Sequence, residues 1–508
     1  MTIDNTTTYT AQHIKRLEGL EAIRRLPGMY IGNDSVYGLH HLLMEPIDNA
    51  VDEIMNGYGD TIRVTLHEDG SASVWDNARG IPVEYKPGVK MPALTEVLTV
   101  LHVGGKFRED GERGGPGEDA YLSGSGGLHG IGVKATNAFS AWLVVEVRRH
   151  GVVFRQRFEN GGKPVSGVQI VEPDGEQVVG QVDADTDLVI KSGLLAGLKV
   201  NGTEIHFRPH RPWFAAEMDW PYPESQVPWD FNRLSIRLEQ IAHLHPGVRI
   251  ELRDERGPKK DHKKRLYHSQ KGLLDYIAVL NEGQEPLHRP IQFKGQNDDG
   301  SIVVEVVMQY AGEETTVYSF VNSIPTPLGG TAVSGFQAGL TKALKQFAAD
   351  KKLLKDGDIR GDDVMLGLTA IVNVTMNKTP QFSGQTKDSL TTAEAQGVAM
   401  SVTYENLLAH LNKNIPVGKA IVNQARAAAR GREAAKAARQ LVIRRSALEV
   451  DELPGKLADV ARGTPVAQTM LFIVEGDSAG GSCKQARDRR HHAILPLRGK
   501  ILNTEKTA

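Results

Sequence analysis

Glu45 and Asn49 stand four residues apart in a segment, Gly38 to Met55, whose pattern predicts a helix, so a carboxylate and a carboxamide share one face. A carboxylate there suits abstraction of a proton from water, and an amide oxygen one turn on suits a hard divalent cation. Asp48 and Asp52 fall on the neighbouring face, and a solvated acidic helix surface would carry the same residues. Ser71-Ala-Ser-Val-Trp75 alternates toward a strand that ends in Asp76-Asn-Ala-Arg-Gly-Ile-Pro82, a carboxylate at a tight turn able to accept the exocyclic amine of adenine. Leu101-His-Val-Gly-Gly-Lys-Phe107 and the glycine-dense Ser123-Gly-Ser-Gly-Gly-Leu-His-Gly-Ile-Gly132 lead into a helix predicted from Val133. Glycines let the backbone approach phosphates and a helix N-terminus adds free N–H groups, which makes this stretch a phosphate cradle.

Two other nucleotide signatures are excluded. Gly130-x-Gly132-x-x-Ala135 follows a glycine loop rather than a strand, so it is no dinucleotide fingerprint, and no Gly-x-x-x-x-Gly-Lys-Ser/Thr string occurs. Near the C-terminus, Met470-Leu-Phe-Ile-Val474 reads as a short buried strand followed by Glu475 and Asp477 on a glycine-rich turn. Carboxylates so placed can hold a divalent cation, and an acidic strand-to-helix loop would look the same.

The elements that must position these groups are of mixed type. Residues 226–398 alternate strand-like runs, Val303 to Tyr310 and Leu368 to Met376, with a helical run from Phe336 to Phe347, as in an α+β domain. Gln385-Thr-Lys387 follows the second of these strands on a polar loop. Lys419 to Ser446 is alanine-rich with eight Lys or Arg against Glu433, a long basic helix that serves either DNA phosphates or solubility. The Lys259 to Arg265 cluster reads as a solvated hairpin tip. With 508 residues and 40% hydrophobic content, length alone points to about three domains. A net charge of -2 confines any nucleic-acid contact to local patches. The lone Cys483, expected to be buried, excludes an internal disulfide and a cysteine-built zinc site. No apolar run approaches membrane-spanning length and no signal pattern opens the chain, so a cytoplasmic location is expected.

Taken in order, the Glu45/Asn49 helix, the Asp76 turn, the glycine segment and Gly202-Thr203 before a strand resemble the GHKL ATPases. With Leu453-Pro-Gly-Lys-Leu-Ala-Asp459, Glu475-Gly-Asp-Ser-Ala-Gly-Gly-Ser482 and Ile494-Leu-Pro-Leu-Arg-Gly-Lys-Ile501, the chain resembles the B subunits of bacterial type IIA topoisomerases, DNA gyrase and topoisomerase IV. The fold class implied is α+β and multidomain. It comprises a GHKL (Bergerat) α/β sandwich over 1–225 with an N-terminal dimerisation arm, a ribosomal protein S5 domain 2-like transducer over 226–398, a basic helical linker over 399–466, and the start of a Toprim domain over 467–508. The resemblance makes Glu45 the general base, Asn49 a Mg²⁺ ligand, and Asp76 the reader of adenine with Thr203 behind it. Arg79, Ile81 and Pro82 line the adenine side, with Arg155 on a neighbouring rim. Lys106 and Gly126, Gly127, Leu128, His129, Gly130, Ile131 and Gly132 close over the triphosphate. Gln385 and Lys387 report the γ-phosphate, Tyr9 reaches into the partner's site, and Glu475 is a Toprim metal ligand. The implied cofactors are ATP and Mg²⁺. The implied partners are double-stranded DNA, a second copy through the N-terminal domain, and a topoisomerase A subunit in an A2B2 enzyme, with no membrane.

Several positions depart from that pattern. Pro46 follows the base and predicts a kink at Glu45, and Ala78 takes a glycine position that it fits only if φ there is negative. Ser123 stands near the place of a usual lysine in the glycine segment, Ala332 replaces a histidine, and Val460 a cysteine. The stretches 166–199 and 213–229 read as insertions. The Asp-x-Asp pair of a Toprim site is not among these residues, and Glu475 alone does not hold two metals, so the 508 residues are expected not to support DNA cleavage with an A subunit. The alternative to an ATP-driven clamp is a binding module that keeps the pocket without turnover.

Overall fold

The computed structural model describes residues 17, 19–86, 88–103, 130–172, 177–182, 200–215, 218, 220, 226–353, 359–384, 387–450, 457–461 and 463–497. Tyr9, Lys106, Ser123, Gly126, Gly127, Leu128, His129 and Gln385 lie outside the described residues. The chain divides into two units, 1–425 and 426–508.

In the first unit the strands β1 (Thr61–Leu66), β2 (Ala72–Asp76), β3 (Ser140–Arg149), β4 (Val152–Glu159), β5 (Lys163–Pro164), β6 (Gln169–Val171), β7 (Val178–Gln181), β8 (Gly202–Pro209), β9 (Arg249–Asp254) and β10 (Lys263–His268) form one sheet. Its order is β10-β9-β1-β2-β8-β3-β4-β6-β7, with β5 beside β4. β1 pairs antiparallel with β2, Val64 opposite Val74, and parallel with β9, Ile62 opposite Ile250. The helix Phe231–Leu244 and strands β9 and β10 therefore complete this layer, and it runs past the boundary expected at residue 225 to the segment between His268 and Leu273. The tryptophan-bearing stretch that reads as an insertion supplies buried Phe214, Trp220, Val227 and Trp229 to the core under the sheet. The Lys259 to Arg265 cluster is the exposed turn joining β9 to β10, with Lys263 and Arg265 already in the strand.

One helix, Val36–Met55, carries the residues of chemical interest. Leu39, Leu42, Leu43, Ile47, Ala50 and Val51 recur at intervals of three and four and are buried against the sheet, which leaves His41, Glu45 and Asp48 on the other face. Ser35 caps its start by accepting from the Tyr37 N–H at 3.2 Å. The helix runs through Pro46 as one continuous element, Val36–Met55. Proline has no N–H for the Leu42 carbonyl four residues back, and the buried Thr136 hydroxyl donates to that carbonyl at 2.8 Å instead. Thr136→Val should therefore orphan a buried acceptor and lower stability by about 1–3 kcal/mol. Chemical denaturation would register this as a lower midpoint at unchanged slope.

The second layer of this unit is the sheet β11 (Ile291–Gln296), β12 (Ile302–Tyr310), β15 (Leu368–Met376), β13 (Thr316–Val321) and β14 (Ile324–Pro325), in that spatial order. Helices Thr331–Asp350 and Ala393–Lys413 cross closely where Gly335 and Gly339 lie: a Cβ on either would fall 2.3 and 2.5 Å from the carbonyl oxygens of Gln396 and Met400. Ala332, at the position of the expected histidine, is fully buried in the first turn of that packing.

A long helix, Ile415–Val450, spans the basic segment, wider than the expected 419–446. In the second unit β16 (Met470–Glu475) and β17 (His492–Leu497) pair in parallel through the helix Gly476–Ala486, a β-α-β unit. The strand expected to be buried is exposed: Met470, Leu471, Phe472 and Ile473 are 58, 55, 41 and 61% accessible. Among the described residues only β17 pairs with it and only this helix packs beside it, so its apolar side chains are left open. Cys483 is half-buried rather than buried, since it lies on a helix covered on one side.

Candidate nucleotide-binding and hydrolytic site

The base expected at residue 45 is part of a pair. His41 and Glu45 lie one turn apart, with Nε2 3.2 Å from Oε1. Burial would push the His41 imidazole down, but the Glu45 hydrogen bond and charge, with Asp48, hold it above the ordinary histidine value. Gly132 opens the helix Gly132–Ala138 directly against this carboxylate: a Cβ there would lie 1.6 Å from Glu45 Oε2. The end of the glycine segment and the Glu45 carboxylate are thus in contact, which only glycine permits. Gly130 takes a positive φ of 58° just before that turn, and Ile131 is half-buried against the core.

Asp76 closes β2 within the sheet, buried, with Oδ1 accepting from the N–H groups of Ala78 at 2.9 Å and Thr203 at 3.3 Å. Burial pushes its carboxyl up to about 6, the two N–H donors working against this and the charge of Glu53 adding to it. Ala78 is not among the residues with positive φ, so alanine fits where the pattern has glycine. Gly202 is constrained instead, since its Cβ would fall 2.1 Å from the Asp76 carbonyl oxygen. Arg79 is fixed by two bonds to Glu53, 2.8 and 3.1 Å, and lies over the Tyr58 ring at 3.8 Å. Ile81 and Pro82 follow it on the same turn, Ile81 half-buried and Pro82 exposed, while Arg155 is held by Glu146 across β3 and β4.

Lys387 enters from the second layer with a φ of 59°. It lies near enough to the helix Val36–Met55 that its charge lowers the carboxyl of Asp48 and the imidazole of His41. Burial nonetheless pushes Asp48 up to about 6, with Arg237 beside it opposing. Asn49 follows on the same helix. The described residues thus offer a buried acceptor at Asp76 and a carboxylate–imidazole pair set against Gly132, with the charge of Lys387 nearby. Glu475 and Asp477 are exposed at the β16–helix junction, and among the described residues no group of three or more acidic, histidine or cysteine side chains is set to hold a metal.

A family model described as "Histidine kinase-, DNA gyrase B-, and HSP90-like ATPase" matches residues 35–163, and one described as "DNA gyrase B" matches 272–441. The DNA gyrase B protein of Thermotoga maritima is 41% identical over 98% of this chain and 72% of its own length. The chain belongs to the DNA gyrase B family. The B protein of the type 2 topoisomerase of Aquifex aeolicus is 42% identical over 98% of this chain and 57% of its own. Among solved structures, the 43K ATPase domain of Thermus thermophilus gyrase B, in complex with an aminocoumarin, aligns with TM-score 0.60 at 31% identity, covering 83% of this chain and 98% of that one. The topoisomerase IV ATP-binding domain of Francisella tularensis aligns with TM-score 0.59 at 27% identity, covering 82 and 98%. As a gyrase B-type chain it is an ATPase subunit of a type II topoisomerase with a GHKL fold. Among the described residues no helix is long and apolar enough to cross a membrane.

Three residues at this gyrase B site were not anticipated from the sequence: His41, Glu53 and Arg237. The first was legible, because it stands four residues before Glu45 on the same helical face. His41→Ala should lower ATP turnover about 10-fold by releasing the orientation of Glu45, with nucleotide affinity held within about 3-fold in a fluorescence titration.

Proposed function

We propose that this chain is the ATP-driven clamp of a type II topoisomerase, closing around a DNA segment when two copies bind nucleotide and reopening after hydrolysis. The observation that carries the reading is the meeting of Gly132, Glu45 and His41, with Lys387 facing them from the second layer. Asp76 receives the adenine amine, and Gly202, Gly80 and Gly132 leave the space that side chains would fill. Glu45, held by His41, removes the proton of the attacking water. Lys387, with Gln385, meets the γ-phosphate and favours the charge that develops there. The oxygen donors on this helix, an amide at Asn49 beside carboxylates, are of the hard type that fits Mg²⁺. Asn49 would hold that ion, which supplies neutralisation of the triphosphate.

Lys106 and 126–131 complete the phosphate cradle, and Tyr9 belongs to the dimerising arm. Arg426, Arg430, Lys436 and Arg439 are placed along the 415–450 helix and offer a salt-dependent contact to DNA phosphates. The A subunit is the partner for strand passage, with Glu475 a ligand of its metal site, and the cytoplasm the compartment. The Thr136 bond to Leu42 and the negative φ of Ala78 support an active pocket over a module without turnover. The test is steady-state ATP hydrolysis across a range of protein concentrations, with and without linear DNA. Turnover rising faster than protein concentration supports a dimerising clamp, and bound ATP without turnover would restore the module.

A further inference from the structure

Arg237 lies at the junction of the two layers of the first unit. It projects from the helix Phe231–Leu244 with a side chain only 13% exposed. Its Nη2 donates to the Ser323 carbonyl at 2.8 Å, in the turn between β13 and β14, and stands 3.6 Å from Asp48 Oδ1, too far for a hydrogen bond. Asp48 is one turn from Glu45 and adjacent to Asn49 on the catalytic helix. Among the described residues the opposite guanidinium nitrogen, Nη1, is buried without an acceptor. The guanidinium is thus committed to the second layer, engages the catalytic helix loosely, and holds a donor in reserve.

The turn it grips is itself constrained. Asn322 and Ser323 take left-handed φ values of 47° and 66°, sparsely populated for residues with a Cβ. The Asn322 side chain bonds both polar backbone groups of Met376, donating to its carbonyl at 3.2 Å and accepting from its N–H at 2.8 Å. The Ser323 hydroxyl meets His245 Nε2 at 2.7 Å and Met55 Sδ at 3.5 Å. Met376 ends β15, and eleven residues on stands Lys387, the lysine facing Glu45 and His41. Hydrogen bonds therefore join the end of β15 to the strained turn and the turn to Arg237, which in turn approaches the helix bearing Glu45.

We propose that Arg237 is a positioning residue that sets the helix Val36–Met55 against the β13–β14 turn, its Nη2 closing from 3.6 Å onto the Asp48 carboxylate when nucleotide binds. This rests on the ATPase reading and adds to it a route from nucleotide to the second layer. Nη2, bonded to the Ser323 carbonyl and 3.6 Å from the Asp48 carboxylate, is a small shift from a second hydrogen bond, and the guanidinium fork can hold the Ser323 carbonyl and Asp48 together.

The test uses the full chain, its Arg237→Gln, Arg237→Lys and Asp48→Asn variants, and the double variant. Arg237→Gln is expected to lower kcat by about 10-fold or more, with AMPPNP affinity within about 3-fold of the parent. Lysine, which cannot span both acceptors, should recover little of this. The double variant should lose no more than the worse single, the signature of one shared contact. Hydrogen exchange reads the coupling without turnover: AMPPNP should protect residues 316–325 in the parent and leave them unchanged in Arg237→Gln. Unaltered kcat, losses that add, parallel loss of affinity and thermal stability, or equal protection in parent and variant would each overturn the proposal. A parent that binds AMPPNP without protecting 316–325 overturns it too, whereas a parent that binds no nucleotide removes the ATPase reading itself and this inference with it.

Discussion

Glu45→Ala is expected to reduce ATP turnover by about 10²- to 10⁴-fold, the range in which a positioned general base contributes, while leaving nucleotide binding nearly intact. The division follows from geometry. Glu45 meets Gly132 and His41, whereas Asp76 is held by Ala78 and Thr203, so removing Glu45 takes away the group that would deprotonate water and none of the contacts that set the adenine acceptor. Glu45→Gln should do nearly as much harm as alanine, since it keeps the shape of the side chain and the bond to His41 but not the basicity. Phosphate release in single-turnover conditions, beside AMPPNP titration, separates the two effects. If either variant kept more than about a tenth of parental turnover, the base would have to be another group, and Asp48 would be the first to examine.

Much of this site was legible because its signals are local. The Glu45/Asn49 spacing, the carboxylate ending β2 and the glycines before residue 133 each follow from periodicity or backbone freedom within a few residues, and the elements fall where those signals put them. Pro46 shows the limit. Its cost in a helix is readable, but the hydroxyl that satisfies the stranded Leu42 carbonyl comes from Thr136, 94 residues away. The reach of the first sheet past residue 225 has the same cause: β9 joins it by pairing with β1, and the Arg63–Glu251 bond across that seam links residues 188 apart. Arg237 could not be singled out either, being one of many arginines until the fold brings Ser323 and Asp48 to it. For β16, the pattern reported apolar character correctly, but burial depends on what covers a strand, which its own residues do not encode.

Asp76→Asn should stabilise the nucleotide-free fold and disable nucleotide recognition together. The folded-state carboxyl sits near 6, above its ordinary value of 3.8, because burial disfavours the charged form. A raised pKa means that the folded state binds the proton more tightly. The ionised side chain therefore costs stability above about pH 6, and that cost fades as pH falls toward 4. At about 1.36 kcal/mol per unit the full penalty at neutral pH is about 3 kcal/mol. Asparagine keeps the Oδ1 that accepts from Ala78 and Thr203 but carries no charge, so its thermal midpoint at pH 8 should lie about 4 °C or more above the parent's and converge with it near pH 4. Recognition moves the other way. The carboxylate oxygen that would accept the adenine amine becomes an amide nitrogen, opposing donor to donor, and losing a bond to a charged acceptor weakens ATP binding by about 100-fold. The parent's own affinity should fall as pH drops below about 6, where Asp76 takes up its proton, while the variant's should not. Calorimetric scans from pH 4 to 8 and nucleotide titrations over the same range measure both trends. A variant less stable than the parent at pH 8 would mean that the Asp76 carboxylate is ionised in the fold at no cost, its burial fully offset by the Ala78 and Thr203 N–H donors.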